Sequence, residues 1–282
     1  ILFLSYKTTS TMDNNKLPKP ISNQVLIEIT NFNDRIKLKG GGEIYLETTF
    51  EQFKNSPTEG TVVSVPTELK ASKSPGYMVY ETTMDIMVGD IVIFNYLCYH
   101  NAAIGENGVT DGKLMEIDDR VYLFVSYSSI FLAKRKSVVP YLCAKNMNER
   151  EILLNQLVID EDDQTCYTII VLNGYIVFTG IGDITQTTFL HIPNTAKREV
   201  KQGVVTFIGS KIIRHLIPEM AGDSDDLKVG DIVCLPKVGD IPLQYDLHRT
   251  LDKAIKYYRI ERREVLAVTG NIINEVEVWK EL

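Results

Sequence analysis

The 282-residue chain is poor in several features that would mark common functional classes. Its four cysteines, Cys98, Cys143, Cys166 and Cys234, are widely spaced without a C-x-x-C pair, which argues against both a zinc knuckle and a disulfide framework. A reducing cytoplasm is the compartment that cysteine usage fits. The four histidines, His100, His191, His215 and His248, are scattered, and Cys98-Tyr99-His100 does not close a metal site unaided, so no metal and no cofactor is expected. No dense Lys/Arg run occurs, and the net charge of -7 repels a nucleic-acid backbone or an anionic membrane. Neither is expected as a partner. The opening "ILFLSY" is shorter than a signal-peptide core or a membrane span, and the polar stretch at Met12 looks like an ordinary start. Residues 1–19 therefore read as a disordered tail. No P-loop, G-x-S-x-G or G-x-G-x-x-G stands at a strand-to-helix junction; "TGIGDIT" (179–185) leads into more loop, and "DSDD" (223–226) reads as a polar turn. An enzyme is not expected.

Short β-branched and aromatic runs fill the space left by those absences. "NQVLIEI" (23–29), "GTVVSV" (60–65), "GDIVIF" (89–94) and "RVYLFVSY" (120–127) are separated by Gly, Pro, Asn and Asp, the pattern of an antiparallel barrel or sandwich. A second series follows in the same order: "GYIVF" (174–178), "QGVVTFIG" (202–209), "GDIVCL" (230–235) and "REVLAV" (263–268). "MVGDIVIFN" (87–95) returns as "KVGDIVCLP" (228–236), with the two glycines 230 less 89, or 141, residues apart. That interval suits a duplicated domain rather than a solenoid repeat.

Two stretches carry helical periodicity. "NEREILLNQLVI" (148–159) opens with a capping-box pattern, Asn148 and Glu151, followed by Ile152, Leu153 and Leu157. "DLHRTLDKAIKYY" (246–258) places Leu247, Leu251, Ala254, Ile255 and Tyr258 on one face, either packed on the second barrel or offered to a partner. The acidic "DEDDQT" (160–165) reads as a solvated linker. The expected organisation is a tail (1–19), a first domain (20–140), a helical and acidic linker (141–167) and a second domain (168–282).

"TTFLHIPNTAKREVKQGVVTFIG" (187–209), then "DLKVGDIVCL" and "EVLAVTGNIINEV", resembles the GroES, or chaperonin-10, family. That family carries a mobile loop with an apolar tripeptide, then Pro-Asp-Thr-Ala-Lys, then a Gly-Glu-Val-Val-type strand and a Val-Gly-Asp strand. Here Leu190, His191 and Ile192 occupy the tripeptide position, and Pro193, Asn194, Thr195, Ala196 and Lys197 follow. In the first half, "GGGEIYLETTFEQFKNSPTEGTVVSV" (40–65) supplies the glycines and an apolar Ile44-Tyr45-Leu46, and "VYLFVSYSSIFLAK" (121–134) is similar to the closing segment. The second half lacks the glycine pair, and each tripeptide has a semi-polar ring at its centre. The resemblance implies an all-β chain of two tandem GroES-like antiparallel β-barrels, with a short connecting helix and a helical insertion in the second. It also implies a co-chaperonin: a homo-oligomeric ring whose loops, about 31–58 and 180–201, dock on an ATP-bound chaperonin and close a chamber over non-native protein. The chaperonin-binding residues would be Ile44, Tyr45, Leu46, Leu190, His191 and Ile192, with chamber roof segments at about 67–84 and 210–228. Two alternatives stay open: the tripeptides as buried strand edges, and the whole as a structural ring or virion assembly protein reusing the barrel.

Overall fold

The computed structural model describes residues 17–30, 35–37, 43–45, 56–69, 84–104, 112–181, 202–209, 227–236, 241–242 and 257–275. In chain order the strands are β1 (Gln24–Ile29), β2 (Arg35–Lys37), β3 (Glu43–Tyr45), β4 (Glu59–Ser64), β5 (Ile91–Phe94), β6 (Leu114–Ile117), β7 (Arg120–Ser126) and β8 (Ile130–Lys136). There follow β9 (Leu157–Asp160), β10 (Thr165–Val171), β11 (Tyr175–Gly180), β12 (Gln202–Ile208), β13 (Asp231–Cys234), β14 (Ile241–Pro242), β15 (Tyr257–Glu261) and β16 (Ala267–Asn271). Four short helices complete the described set: α1 (Leu97–Ile104), α2 (Tyr141–Lys145), α3 (Glu149–Leu154) and α4 (Ile272–Glu275).

The protein is mostly β, as its short β-branched and aromatic runs dictate. One antiparallel sheet has the order β6-β7-β1-β4-β5-β8-β10-β9 and the other β14-β15-β11-β12-β13-β16. Within them lies the same five-strand unit twice: β7-β1-β4-β5-β8 and β15-β11-β12-β13-β16. Irregularities recur with the order. The β1–β4 register slips between Leu26 and Ile27, and the β11–β12 register slips between the matching Val177 and Phe178. Left-handed Ser22 and Asn173 precede the first strand of each unit, and a 3₁₀ turn follows β7 (Tyr127–Ser129) and β15 (Arg262–Glu264). The Tyr127 N–H donates to Asn23 O at 2.7 Å, and the Arg262 N–H to Gly174 O at 2.8 Å.

The repeated Val-Gly-Asp turn is the tightest of these correspondences. Gly89 and Gly230 have φ of 93° and 87°, the left-handed region that glycine enters without a Cβ penalty. Each glycine N–H reaches the neighbouring strand at 2.8 Å, Val62 O in one unit and Val205 O in the other. The aspartate closes the turn by accepting from the residue three before it, Met87 N at 2.8 Å and Lys228 N at 2.6 Å. Both aspartates are buried, so each needs a second donor. Arg135 supplies it to Asp90, and Asn271, at the matching place on the last strand, supplies it to Asp231.

Neither large sheet closes on itself among the described residues, so the closed barrels expected from the sequence are not what the pairing gives: β6 and β9 end one sheet, β14 and β16 the other. The reason lies in β5 and β8, which are covered on both faces. Val92, Phe94 and Ala133 enter the first unit's core with Val25, Ile27 and Leu123, whereas Ile93 and Leu132 face Val171, Val177, Phe207 and Tyr257. The sheet thus runs on through β10 and β9 instead of curling shut. Ile176, Phe178, Val205 and Val233 form the second unit's own core.

Two sequence expectations are corrected here, and a third is tested only at its last two residues. Helix α3 is capped as expected, with Glu151 N donating to Asn148 Oδ1 at 2.9 Å and Asn148 N to Glu151 Oε2 at 3.1 Å. It stops at Leu154, however, because Gln156 takes a positive φ of 51° and Leu157–Asp160 become β9. The acidic 160–165 stretch is the turn of the β9–β10 hairpin, where Asp160 Oδ1 accepts from Asp163 N at 3.1 Å. The helix expected over 246–258 lies mostly outside the described residues, and its last two residues, Tyr257 and Tyr258, begin β15.

Candidate functional site

The two candidate loops leave their units at the same point, between the first strand and the second. In the first unit the chain departs after Ile29 of β1 and returns at Glu59 of β4; in the second it departs after Gly180 of β11 and returns at Gln202 of β12. Ile44 and Tyr45 lie in β3, which pairs with β2 in a separate two-stranded sheet with Ile36 opposite Ile44 and Arg35 opposite Tyr45. The first loop therefore carries an antiparallel ladder within it. Leu46, Leu190, His191 and Ile192 lie outside the described residues. The expected roof segments, 67–84 and 210–228, join β4 to β5 and β12 to β13 and are mostly outside them too.

What the structure does describe is the footing of each loop. Gly60 and Gly203 are matching residues, each three before the residue that the register slip skips, Val63 and Thr206. A Cβ on Gly60 would stand 2.8 Å from Glu28 O, and one on Gly203 would overlap the Phe178 ring and stand 2.9 Å from Thr179 O. Phe178 is fully buried, so its ring has nowhere to go. Gly203→Ala should cost about 1–3 kcal/mol through overpacking, read as a lower urea midpoint. An unchanged midpoint would show that the strands separate freely there. Sequence reading missed this pair; its one signal was a glycine heading each second-strand motif.

The first footing is also charged. Glu59, the first residue of β4, meets the Lys134 amine at 3.4 Å, and Lys134 is buried beside the Tyr167 ring. Next to it, Arg135 grips Asp90 with Nε to Oδ1 at 2.9 Å and Nη2 to Oδ2 at 2.8 Å, and Nη2 also donates to Asp85 O at 2.7 Å. The hydrogen bond to Asp90 raises the Arg135 pKa above its ordinary value. These charges fix the turn and the strand to which the loop returns.

Reactive groups are few among the described residues. Burial pushes the Cys98 and Cys166 thiols up, which keeps them protonated at neutral pH. Burial likewise holds the Tyr257 hydroxyl at about 12. No group of three or more His, Cys, Asp or Glu among the described residues is placed to hold a metal ion. No helix among them is long and apolar enough to cross a membrane. No family model and no curated protein matches this chain.

Proposed function

We propose that the chain is a non-enzymatic co-chaperonin of tandem GroES-like units, which caps an ATP-bound chaperonin through two apolar-tipped loops per chain and encloses non-native protein. The observation that carries this reading is positional. The same five-strand unit occurs twice, and each copy interposes its long segment, 30–58 or 181–201, at the same first-to-second-strand connection. Each of those segments contains one apolar tripeptide, Ile44-Tyr45-Leu46 or Leu190-His191-Ile192, among mainly polar residues. A paired scaffold that holds two such segments at matching places suits a lid, because simultaneous weak contacts reinforce one another.

The test is ATPase inhibition. Added to a chaperonin with ATP, the protein should slow steady-state hydrolysis and co-sediment with the chaperonin, and both effects should disappear without nucleotide. No effect on a bacterial chaperonin or on one from the protein's own source would remove the lid reading and leave the structural ring or virion component.

A further inference from the structure

The stretch expected to be a helical and acidic linker is a folded insertion, and it stands where it touches both units. Tandem units swing about their connection unless the surface between them is large and apolar. Here that surface is dry. Ile93 and Leu132 of the first unit, Ile169 and Val171 of the insertion, and Val177 and Phe207 of the second unit pack as one cluster, none more than 2% exposed. They are buried about as deeply as Val25 and Leu123 in the first unit's own core and Ile176 and Phe178 in the second's, all 0% exposed.

The backbone runs through the same joint. β10 pairs with β8, the last strand of the first unit, with Val171 opposite Leu132. Leu172, left-handed Asn173 and Gly174 then lead straight into β11 of the second unit. A hinge needs residues there that can absorb large changes of φ and ψ, and each of these is held. The Leu172 N–H donates to Phe131 O at 2.9 Å, and Gly174 O accepts from Arg262 N at 2.8 Å. Asn173 Nδ2 donates to Tyr127 O at 2.7 Å and to Ile130 O at 2.8 Å, bracketing the first unit's 3₁₀ turn.

Three side-chain and packing ties reach across as well. Gln156, two residues past helix α3, bonds in both directions. Its backbone O accepts from Ile169 N of β10 at 2.9 Å, and its side-chain Oε1 accepts from Ile208 N of β12 at 2.8 Å. Arg259 of β15 lays its guanidinium 3.7 Å from the centre of the Phe131 ring of β8 and 5.3 Å from that of the Tyr175 ring of β11. Those two rings meet edge to face at 5.8 Å, so one cation contacts aromatic rings of both units. Gly209, just past β12, lies so close to β10 that a Cβ would collide with the Val171 carbonyl.

We infer that residues 137–174 act as a splint that makes the two units one rigid, singly cooperative body, in which neither unit opens without the other. The strand ends Ile29 and Gly180, from which the two long segments depart, then keep one fixed spacing in every chain. This holds whether or not those segments bind a chaperonin.

Hydrogen exchange of the full chain, read by mass spectrometry where opening limits the rate, provides the test together with calorimetry. Peptides from β1 and from β11 should open at rates within about twofold of each other, and heating should give one transition whose calorimetric and van't Hoff enthalpies agree. Gly209→Ala puts a methyl into the joint against Val171 alone, and the two opening rates should then part by about tenfold or more. Gln156→Asn keeps an amide and a residue that tolerates its positive φ of 51°, yet is one methylene too short for Ile208 N. It should part the rates in the same direction by a smaller factor. A wild type whose β1 and β11 peptides open more than about twofold apart, or two resolved calorimetric transitions, would overturn the inference. So would rates that stay together in both variants.

Discussion

Serine at Ile44 and Leu46 together with serine at Leu190 and Ile192 should reduce chaperonin binding and ATPase inhibition to background while leaving the circular dichroism and the oligomer unchanged. Each buried aliphatic side chain contributes about 1.5–3 kcal/mol on docking. Ordering a loop residue costs about 1–2 kcal/mol, so one loop binds weakly and several must act together. Changing one loop only should therefore weaken capping by about tenfold or more without abolishing it, since the remaining loops keep their avidity. The β2–β3 ladder refines that expectation. A segment already paired through Arg35–Tyr45 and Ile36–Ile44 has less entropy left to lose, so the Ile44/Leu46 pair should have the larger effect. The opposite result, lost fold or lost oligomer with capping merely following, would place the tripeptides inside the protein and favour the structural ring or virion component.

Much of the architecture was legible because its signals are local. The β-branched run in "NQVLIEI" and the "GDIV" turns located β1, β5 and β13, and Asn148 with Glu151 located a helix start. The errors arose where tertiary pairing overrode local pattern. Leu157, three residues beyond Leu154, continues a helical stripe on paper, but Val158 and Leu157 gain more by pairing with Tyr167 and Thr168 of β10. "TCYTIIV" (165–171) has strand chemistry, yet its role as the joint was invisible because its partner, β8, is distant in sequence. The same non-locality hid the matching of Arg135 with Asn271. Each is the second donor to an aspartate some 40 residues away, and nothing in its own neighbourhood announces that. Of the candidate site, sequence supplied the tripeptides and structure supplied their footing, Gly60 and Gly203.

That pair of donors gives the largest expected loss of stability. Asp90 is 3% exposed and receives three hydrogen bonds, two of them from Arg135. Arg135→Met would leave a buried carboxylate with only the Met87 N–H, and breaking a buried pair in this way costs about 3–5 kcal/mol. The Arg135 side chain is itself 30% exposed, so water can partly replace it and the lower end applies. Asn271→Ala removes a neutral donor from Asp231 and should cost less, about 1.5–3 kcal/mol for a hydrogen bond to a charged group. The order of the two losses in urea unfolding tests whether the units solve the same problem with different strength. A cycle separates charge from packing: in an Asp90→Asn background the buried charge is gone while an acceptor for Met87 N remains, so Arg135→Met should there cost far less. If the cost of Arg135→Met were the same in both backgrounds, the arginine would act through its alkyl stem. The ion pair would then hold nothing that packing does not.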